Sequence, residues 1–377
     1  MGLRVGIDAS SLGDGGAATH LSELLQAASP ADSGVSRIVV WCSPEMAPQL
    51  TQRPWLEVKT PSLLGGWRVL RPLWPLVGHN EIASSCDVLL VPGGISFGRF
   101  QPMVTMSRNL LPFDVRERSR YGWSRVGTRL RLLELLQTAT FRRATATIFL
   151  TRTAQNIVQS RTGALRRCEV IPHGVSVVFR HAPRNQEPIS AYSFERPLRL
   201  VYVSVLERYK HQLQVARAVA ALRERHFPVV LDLVGPAGST KAEVEQFLDE
   251  GDHRSFIRYC GPLAYSKLPE LYSRSDAAVF ASTCENMPNI LVEKMAAGLP
   301  VACSNRGVMP EVFGGSGPTF DPESLESVTA ALEKLVGDAD LRRESARLSY
   351  ARSEAFSWER CARETLNLLV SVHADGC

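Results

Sequence analysis

Two glutamates eight residues apart, Glu285 and Glu293, lie in the stretch Ser282-Thr283-Cys284-Glu285-Asn286-Met287-Pro288-Asn289-Ile290-Leu291-Val292-Glu293-Lys294-Met295-Ala296-Ala297-Gly298-Leu299-Pro300. The apolar run over 277–281 predicts a strand ending just before it. Pro288 sits where a helix begins, because a missing N–H is harmless there, and Gly298 and Pro300 end that helix. Glu285 therefore falls on the loop and Glu293 inside the helix, at different depths of one site. A loop carboxylate beside helix N–H groups suits sugar hydroxyls, and a deeper one suits the vicinal hydroxyls of a ribose. Two acids at a positive helix end also stabilise it on their own, by roughly 0.3–1 kcal/mol. Spacing alone does not separate these readings.

A second candidate is Lys210, in Val201-Tyr202-Val203-Ser204-Val205-Leu206-Glu207-Arg208-Tyr209-Lys210-His211-Gln212. A lysine at the mouth of a strand is placed to neutralise a phosphate; it is equally a surface lysine in a connecting loop. A third follows the first predicted strand: Gly13, Gly15 and Gly16 precede an apolar helix. Consecutive glycines there let backbone N–H groups approach an anion. The loop is neither a P-loop nor a clean G-x-G-x-x-G, and a tight strand–helix junction would use the same residues.

These residues need strands to carry them. Short apolar runs predict strands over 4–8, 37–42, 88–91, 103–106, 146–150 and 169–171, then over 198–205, 229–234, 255–260, 277–281 and 300–303. Helix-period stretches alternate with them, which implies parallel sheets covered on both faces. The alternation restarts after 181–197, which carries three prolines and no periodicity and reads as a linker. The expected organisation is a domain over 1–180, a linker over 181–197, a domain over 198–357, and a last helix over 358–377 that crosses back to the first domain. Ligands of open α/β sheets bind at strand carboxyl ends, so two such sheets are expected to face a deep cleft.

The chain has 377 residues and a net charge of +5. Residues 1–180 carry 21 basic and 12 acidic residues, a net of +9, and the remainder is −4. Eight arginines fall in 116–143 against Glu117 and Glu134. Such a segment either meets a phosphate-bearing partner or forms a solvated helix face. Eight scattered cysteines without a C-x-x-C pair argue against structural zinc and fit a reducing cytoplasm. The absence of an 18-residue apolar run predicts no transmembrane helix, and the first residues read as a strand and not a signal peptide.

Taken together, VYVSVLERYKHQ, LDLVGPAG, YCGPLAYSKLPELYSRSDAAVFAS, CENMPNILVEKMAAGLPVACSNRGVMPEVFG and FDPES resemble the C-terminal domain of GT-B glycosyltransferases, specifically retaining glycosyltransferase family 4, the glycosyl transferases group 1. The likeness is strong over about 198–322. It is thinner in the first half, at Gly15-Gly16, Ser107-Arg108-Asn109-Leu110-Leu111-Pro112-Phe113 and Val170-Ile171-Pro172-His173-Gly174-Val175. It implies an α/β GT-B fold of two doubly wound Rossmann-like domains. The first would bind the acceptor and the second a nucleotide-sugar donor.

The resemblance also implies roles. Lys210 would contact the donor diphosphate, with backbone from Gly15 and Gly16 nearby. Glu285 would bind the donor sugar beside the N–H groups of Asn286, Met287 and Asn289. Glu293 would bind the ribose, and Gly261, Pro262 and Leu263 would flank the base. The sequence departs from the family at two places. Val205 stands where an arginine usually shares the diphosphate, so Arg208 is the candidate to supply that charge. Arg108 stands near the usual histidine of the first domain, with Ser107 and Asn109 as one-residue alternatives.

The family's chemistry is a front-face displacement in which the acceptor hydroxyl attacks as the nucleoside diphosphate leaves. The protein's share is electrostatic preorganisation around developing phosphate charge, and no metal or cofactor is expected. Glu285 is read as a donor ligand, unlike the acid and base of glycoside hydrolysis. Basic and aromatic residues interleave over 63–77 and 116–143, which suits an anionic membrane surface. This predicts a lipid-linked glycan acceptor at the inner face of the cell membrane, in polysaccharide or O-antigen-type assembly. Nucleic acid lacks a matching motif. The competing reading is a catalytically weak or inactive GT-B subunit that binds nucleotide or lipid; a dinucleotide oxidoreductase ranks far below both.

Overall fold

A computed structural model describes residues 2–12, 16–66 and 70–375. The chain divides into two compact units, residues 1–174 with 357–377, and residues 175–356. Among the described residues the first unit holds a seven-stranded sheet. Its strands are β1 Leu3–Asp8, β2 Val35–Trp41, β3 Leu56–Lys59, β4 Val88–Val91, β5 Met103–Met106, β6 Ala146–Phe149 and β7 Cys168–Val170. Their order is β3-β2-β1-β4-β5-β6-β7, and every pairing is parallel. The second unit holds six: β8 Leu198–Val203, β9 Val229–Val234, β10 Ile257–Gly261, β11 Ala277–Phe280, β12 Val301–Ser304 and β13 Thr319–Phe320, in the order β10-β9-β8-β11-β12-β13, again all parallel.

The central strands β4, β5, β6, β11 and β12 are buried at every position. Runs such as Val88-Leu89-Leu90-Val91 carry no solvent-facing alternation because helices cover both faces. The chain reverses its winding at β1/β4 in one sheet and at β8/β11 in the other. Such switch points open a crevice at the carboxyl ends of the strands. Lys210 follows β8 and Glu285 follows β11, so the two loops bounding the second crevice carry the two candidates.

Two strands, β3 and β13, have no counterpart among the expected ones. The first is a half-buried edge strand carrying Glu57 and Lys59, and the second has only two residues. Residues 181–197 lie within the second unit. His181 N–H donates to the Ala296 carbonyl at 3.0 Å, and Arg184 donates to the Ser273 carbonyl at 2.6 Å. Gly298 has φ +65°, and a Cβ there would stand 2.6 Å from the His181 carbonyl oxygen. Glycine thus both ends the helix Asn289–Ala296 and lets this segment pass over it. The helix Trp358–Ala374 belongs to the first unit.

Candidate functional site

The loop after β8 closes with a short turn, Arg208–Lys210, and the helix Gln212–Glu224 follows. His211 between them has φ +51°, a left-handed conformation that turns the chain sharply. The loop is tied to the one after β11. Thr283 N–H donates to the Tyr209 carbonyl at 2.8 Å, and the Ser282 and Thr283 hydroxyls donate to the same oxygen at 3.3 Å. The Tyr202 hydroxyl, from β8, donates to the Lys210 carbonyl.

On this frame the Lys210 ammonium meets Glu285 Oε1 in a direct ion pair, with side chains 11% and 16% exposed. The ammonium also lies 5.1 Å from the Tyr209 ring centroid and 5.6 Å from that of Phe280. Two sequence-predicted residues 75 positions apart are thus in contact. Arg208, in the same turn, is exposed. Asn286 and Met287 are buried on the loop, and Asn289 begins the helix.

Glu293 lies one turn into that helix and is only 3% exposed. The Tyr265 hydroxyl donates to its Oε1 at 3.1 Å. Tyr265 stands four residues beyond Gly261, after Pro262 and Leu263, and Leu263 is exposed. Gly261 has φ +70°, and a Cβ there would meet nothing within 4 Å. The base segment of the sequence reading is therefore open, and one of its neighbours reaches the buried carboxylate. The Gly235 amide donates to the Gly261 carbonyl at 2.8 Å. Gly235 has φ +148°, and a Cβ there would lie 2.1 Å from the Ser204 carbonyl oxygen, so this close approach of three loops admits glycine alone.

Beneath the pair lies Lys294. It is fully buried, its Nζ donates to the Val279 carbonyl at 2.8 Å, and it sits over the Tyr202 and Phe280 rings at 5.1 and 5.4 Å. Burial pushes its pKa down to about 7, against the opposing pull of Cys303 and Glu293.

In the first unit, Arg108 follows β5 and its Nη2 donates to the Gly16 carbonyl at 2.6 Å, at the start of the helix Gly16–Ala27. Burial brings its pKa down to about 10. The structure thus joins two further predicted residues, while Gly15 lies outside the described residues. Next to them His20 is buried, and neither ring nitrogen has a hydrogen-bond partner among the described residues. It packs edge-on to Trp358 at 5.1 Å and to His173 at 6.1 Å. Burial, with Arg108 and His173 adding to it, holds His20 neutral, well below its ordinary pKa.

Sequence reasoning missed Tyr265, Lys294 and His20. Lys294 and Tyr265 stand inside quoted motifs without a role, and His20 lies in the helix that follows the glycine loop. The amphipathic segments divide between core and surface, and in the first of them Leu70, Leu73, Leu76 and Val77 are exposed. Trp74 belongs to a hydrophobic core with Trp41, Leu64 and Ile82, and Arg71 is buried against Glu45 at 3.1 Å. Trp67, Arg68 and Val69 lie outside the described residues. In 116–143, Arg118 and Glu134 form a largely buried ion pair, which Arg161 joins at 2.8 Å. An outward apolar face remains. Trp123 is 85% exposed and Leu135 67%, Val126 and Leu132 are also exposed, and the Arg131 guanidinium lies 4.2 Å over the Trp123 ring. Among the described residues no group of three His, Cys, Asp or Glu is placed to hold a metal, and no helix is long and apolar enough to cross a membrane.

Residues 184–352 match the family Glycosyl transferases group 1. O-antigen chain mannosyltransferase B of Escherichia coli is 28% identical over 170 residues, 44% of this chain and 44% of that relative. The chain spans about half the length of the curated relatives it matches. Two solved structures share the fold. Sucrose-phosphate synthase from Thermosynechococcus elongatus superposes with a TM-score of 0.76 at 15% identity, covering 99% of this chain and 100% of that one. Anabaena Alr3699/HepE in complex with UDP-glucose gives 0.71 at 18% identity, covering 100% of both. With its two parallel-sheet Rossmann-like units the chain has the GT-B fold, and its second unit is a domain of the glycosyl transferases group 1 family.

Proposed function

We propose that this chain is a retaining glycosyltransferase that moves a sugar from a nucleoside-diphosphate sugar to an acceptor hydroxyl. The observation that carries this is the Lys210–Glu285 ion pair at the β8/β11 switch point, with Glu293 buried one helical turn further on. Similarity to relatives named for sugar transfer, and a fold shared with a protein solved with UDP-glucose, support it.

In this reading the ion pair is the resting state. A diphosphate offers Lys210 a stronger partner than one carboxylate, and Arg208 adds charge from the same turn. Glu285, released from Lys210, accepts hydrogen bonds from donor-sugar hydroxyls. Glu293 accepts from the ribose, and Gly261, Pro262 and Leu263 flank the base. As the bond between sugar and diphosphate breaks, charge grows on the leaving phosphate. A fixed, largely buried ammonium stabilises that charge without solvent reorganisation. The phosphate takes the acceptor's proton, so no protein base is required. The proposed reaction needs no metal, and turnover is expected to be unchanged by chelator.

The acceptor in this reading is a lipid-linked glycan of polysaccharide or O-antigen-type assembly. Support comes from Trp123, Val126, Leu132 and Leu135, which face solvent among Arg125, Arg129 and Arg131. Aromatic and aliphatic side chains set among guanidinium groups suit an anionic bilayer surface. The deciding experiment incubates the chain with UDP-, GDP- and ADP-sugars and reads the anomeric configuration of the product by NMR. Retention upholds the proposal. Inversion overturns the mechanism, and a chain that binds nucleotide without turnover of any nucleotide sugar is the non-catalytic subunit instead.

A further inference from the structure

A carboxylate that is 3% exposed is closed to any ligand unless a neighbour moves. One neighbour that touches Glu293 and also faces solvent is Tyr265, which is 42% exposed. It begins the short turn Tyr265–Lys267, which runs directly into the helix Leu268–Ser273, and its ring leans edge-on against the buried Phe179 at 5.3 Å. Its phenol bridges 28 residues of sequence to Glu293 Oε1 at 3.1 Å. The chain leading to it is open, since Gly261 has free space on its Cβ side and Leu263 is exposed. Behind it lies Tyr272, fully buried, with its ring 5.9 Å from Phe179 and its hydroxyl without a hydrogen-bond partner among the described residues. Burial and the Glu293 charge hold that second phenol protonated, so it remains a donor beside the carboxylate. One phenol is thus fixed and interior, and the other sits at the surface on a short, open turn.

We infer that Tyr265 is a latch on the nucleotide site: its hydroxyl engages Glu293, and a ribose hydroxyl must displace it to bind. This rests on the reading of Glu293 as the ribose ligand. The exchange replaces one O–H donor on the carboxylate by another, so no buried charge is stripped at any stage. The Tyr265 ring leaves Phe179 for the rim of the site, where Pro262 and Leu263 lie. For a ligand that uses Glu293 the latch multiplies apparent affinity by the fraction of chains in which it is open, whereas a nucleotide without the competing hydroxyl binds with the latch shut.

The test is isothermal titration of the full chain with UDP, GDP and ADP, then with the 2′-deoxy and 3′-deoxy forms of whichever binds. It compares wild type, Y265F and E293Q. Y265F keeps the ring against Phe179 and removes only the competing hydroxyl. The expected result is a roughly three- to tenfold tighter ribonucleotide in Y265F, the magnitude of one hydrogen bond's typical net contribution. The deoxy analogue lacking the competing hydroxyl should change by less than twofold, so discrimination between ribose and deoxyribose widens. Equal or weaker ribonucleotide binding by Y265F overturns the latch and makes the phenol a plain surface group or a ligand contact. Wild type binding none of the three nucleotides overturns the nucleotide-site reading itself, and the latch with it. Unaltered binding by E293Q removes the ribose assignment specifically.

Discussion

Lys294→Met tests the electrostatics beneath the site. Lys294 is fully buried, has one hydrogen bond from Nζ to the Val279 carbonyl, and faces Glu293, Cys303 and Lys210. Burial dominates and brings its pKa to about 7, from 10.5 in an exposed chain. Between those values the unfolded chain carries the proton and the folded chain does not. Stability therefore rises with pH across that window, by about 1.4 kcal/mol per pH unit for one proton. Below pH 7 both states are protonated and the burial penalty is fully present. Methionine keeps the unbranched shape without the charge, at a loss of roughly 1 kcal/mol for the hydrogen bond. From pH 7 to pH 9, wild type should gain about 2–3 kcal/mol on K294M. For a unit of about this size that is roughly 5–10 °C in midpoint difference. The assay is thermal and urea unfolding of both proteins in matched buffers at pH 7, 8 and 9. Using the difference between the two proteins cancels the other titrating groups. Parallel curves at all three pH values, or a wild type that loses stability relative to K294M as pH rises, refute a neutral Lys294.

Two other perturbations bear on the site and its surroundings. Lys210→Met leaves Glu285 with an uncompensated, mostly buried charge and should cost about 2–3 kcal/mol, somewhat less than a fully buried pair; K210M/E285Q should recover most of that in urea denaturation, and additive losses would show that the two residues are not coupled. Wild type should sediment with phosphatidylglycerol vesicles at low salt, while Trp123→Ser with Leu135→Ser should bind about tenfold more weakly; equal binding by both proteins would place the outward face of the helix Arg125–Arg143 away from any membrane.

The sheets were legible because their strands are short apolar runs buried on both faces. Val88–Val91, Met103–Met106 and Val229–Val234 have the bounds their sequences predict. β3 escaped notice because an edge strand can carry Glu57 and Lys59, which break the apolar signal. At the site, loop-borne residues were readable from their place after a strand, which is why Lys210 and Glu285 could each be named. Their contact was not readable, because it depends on which strands are neighbours, and sheet order has no local signature. The Tyr265–Glu293 bond is hidden for the same reason. Over 63–77 the side assignment is split: Leu70, Leu73, Leu76 and Val77 face solvent, while Trp74 does not. There the helices Ser62–Gly65 and Trp74–Val77 are single turns, too short for a period to reveal that Trp74 points into the core. The arginine run of 116–143 misleads differently, since Arg118 serves an interior ion pair with Glu134 and only part of the run faces outward.

The central claim is that the β8/β11 crevice holds a nucleoside diphosphate with Glu293 on its ribose. Thermal unfolding of wild type and Glu293→Gln with UDP, GDP and ADP tests it most directly. Ligand at a hundredfold over its dissociation constant stabilises the folded chain by about 2.7 kcal/mol, roughly 5–10 °C for a unit of this size. The account predicts that shift for one of the three nucleotides in wild type and its loss in Glu293→Gln. No shift with any nucleotide, or the same shift in both proteins, would contradict it.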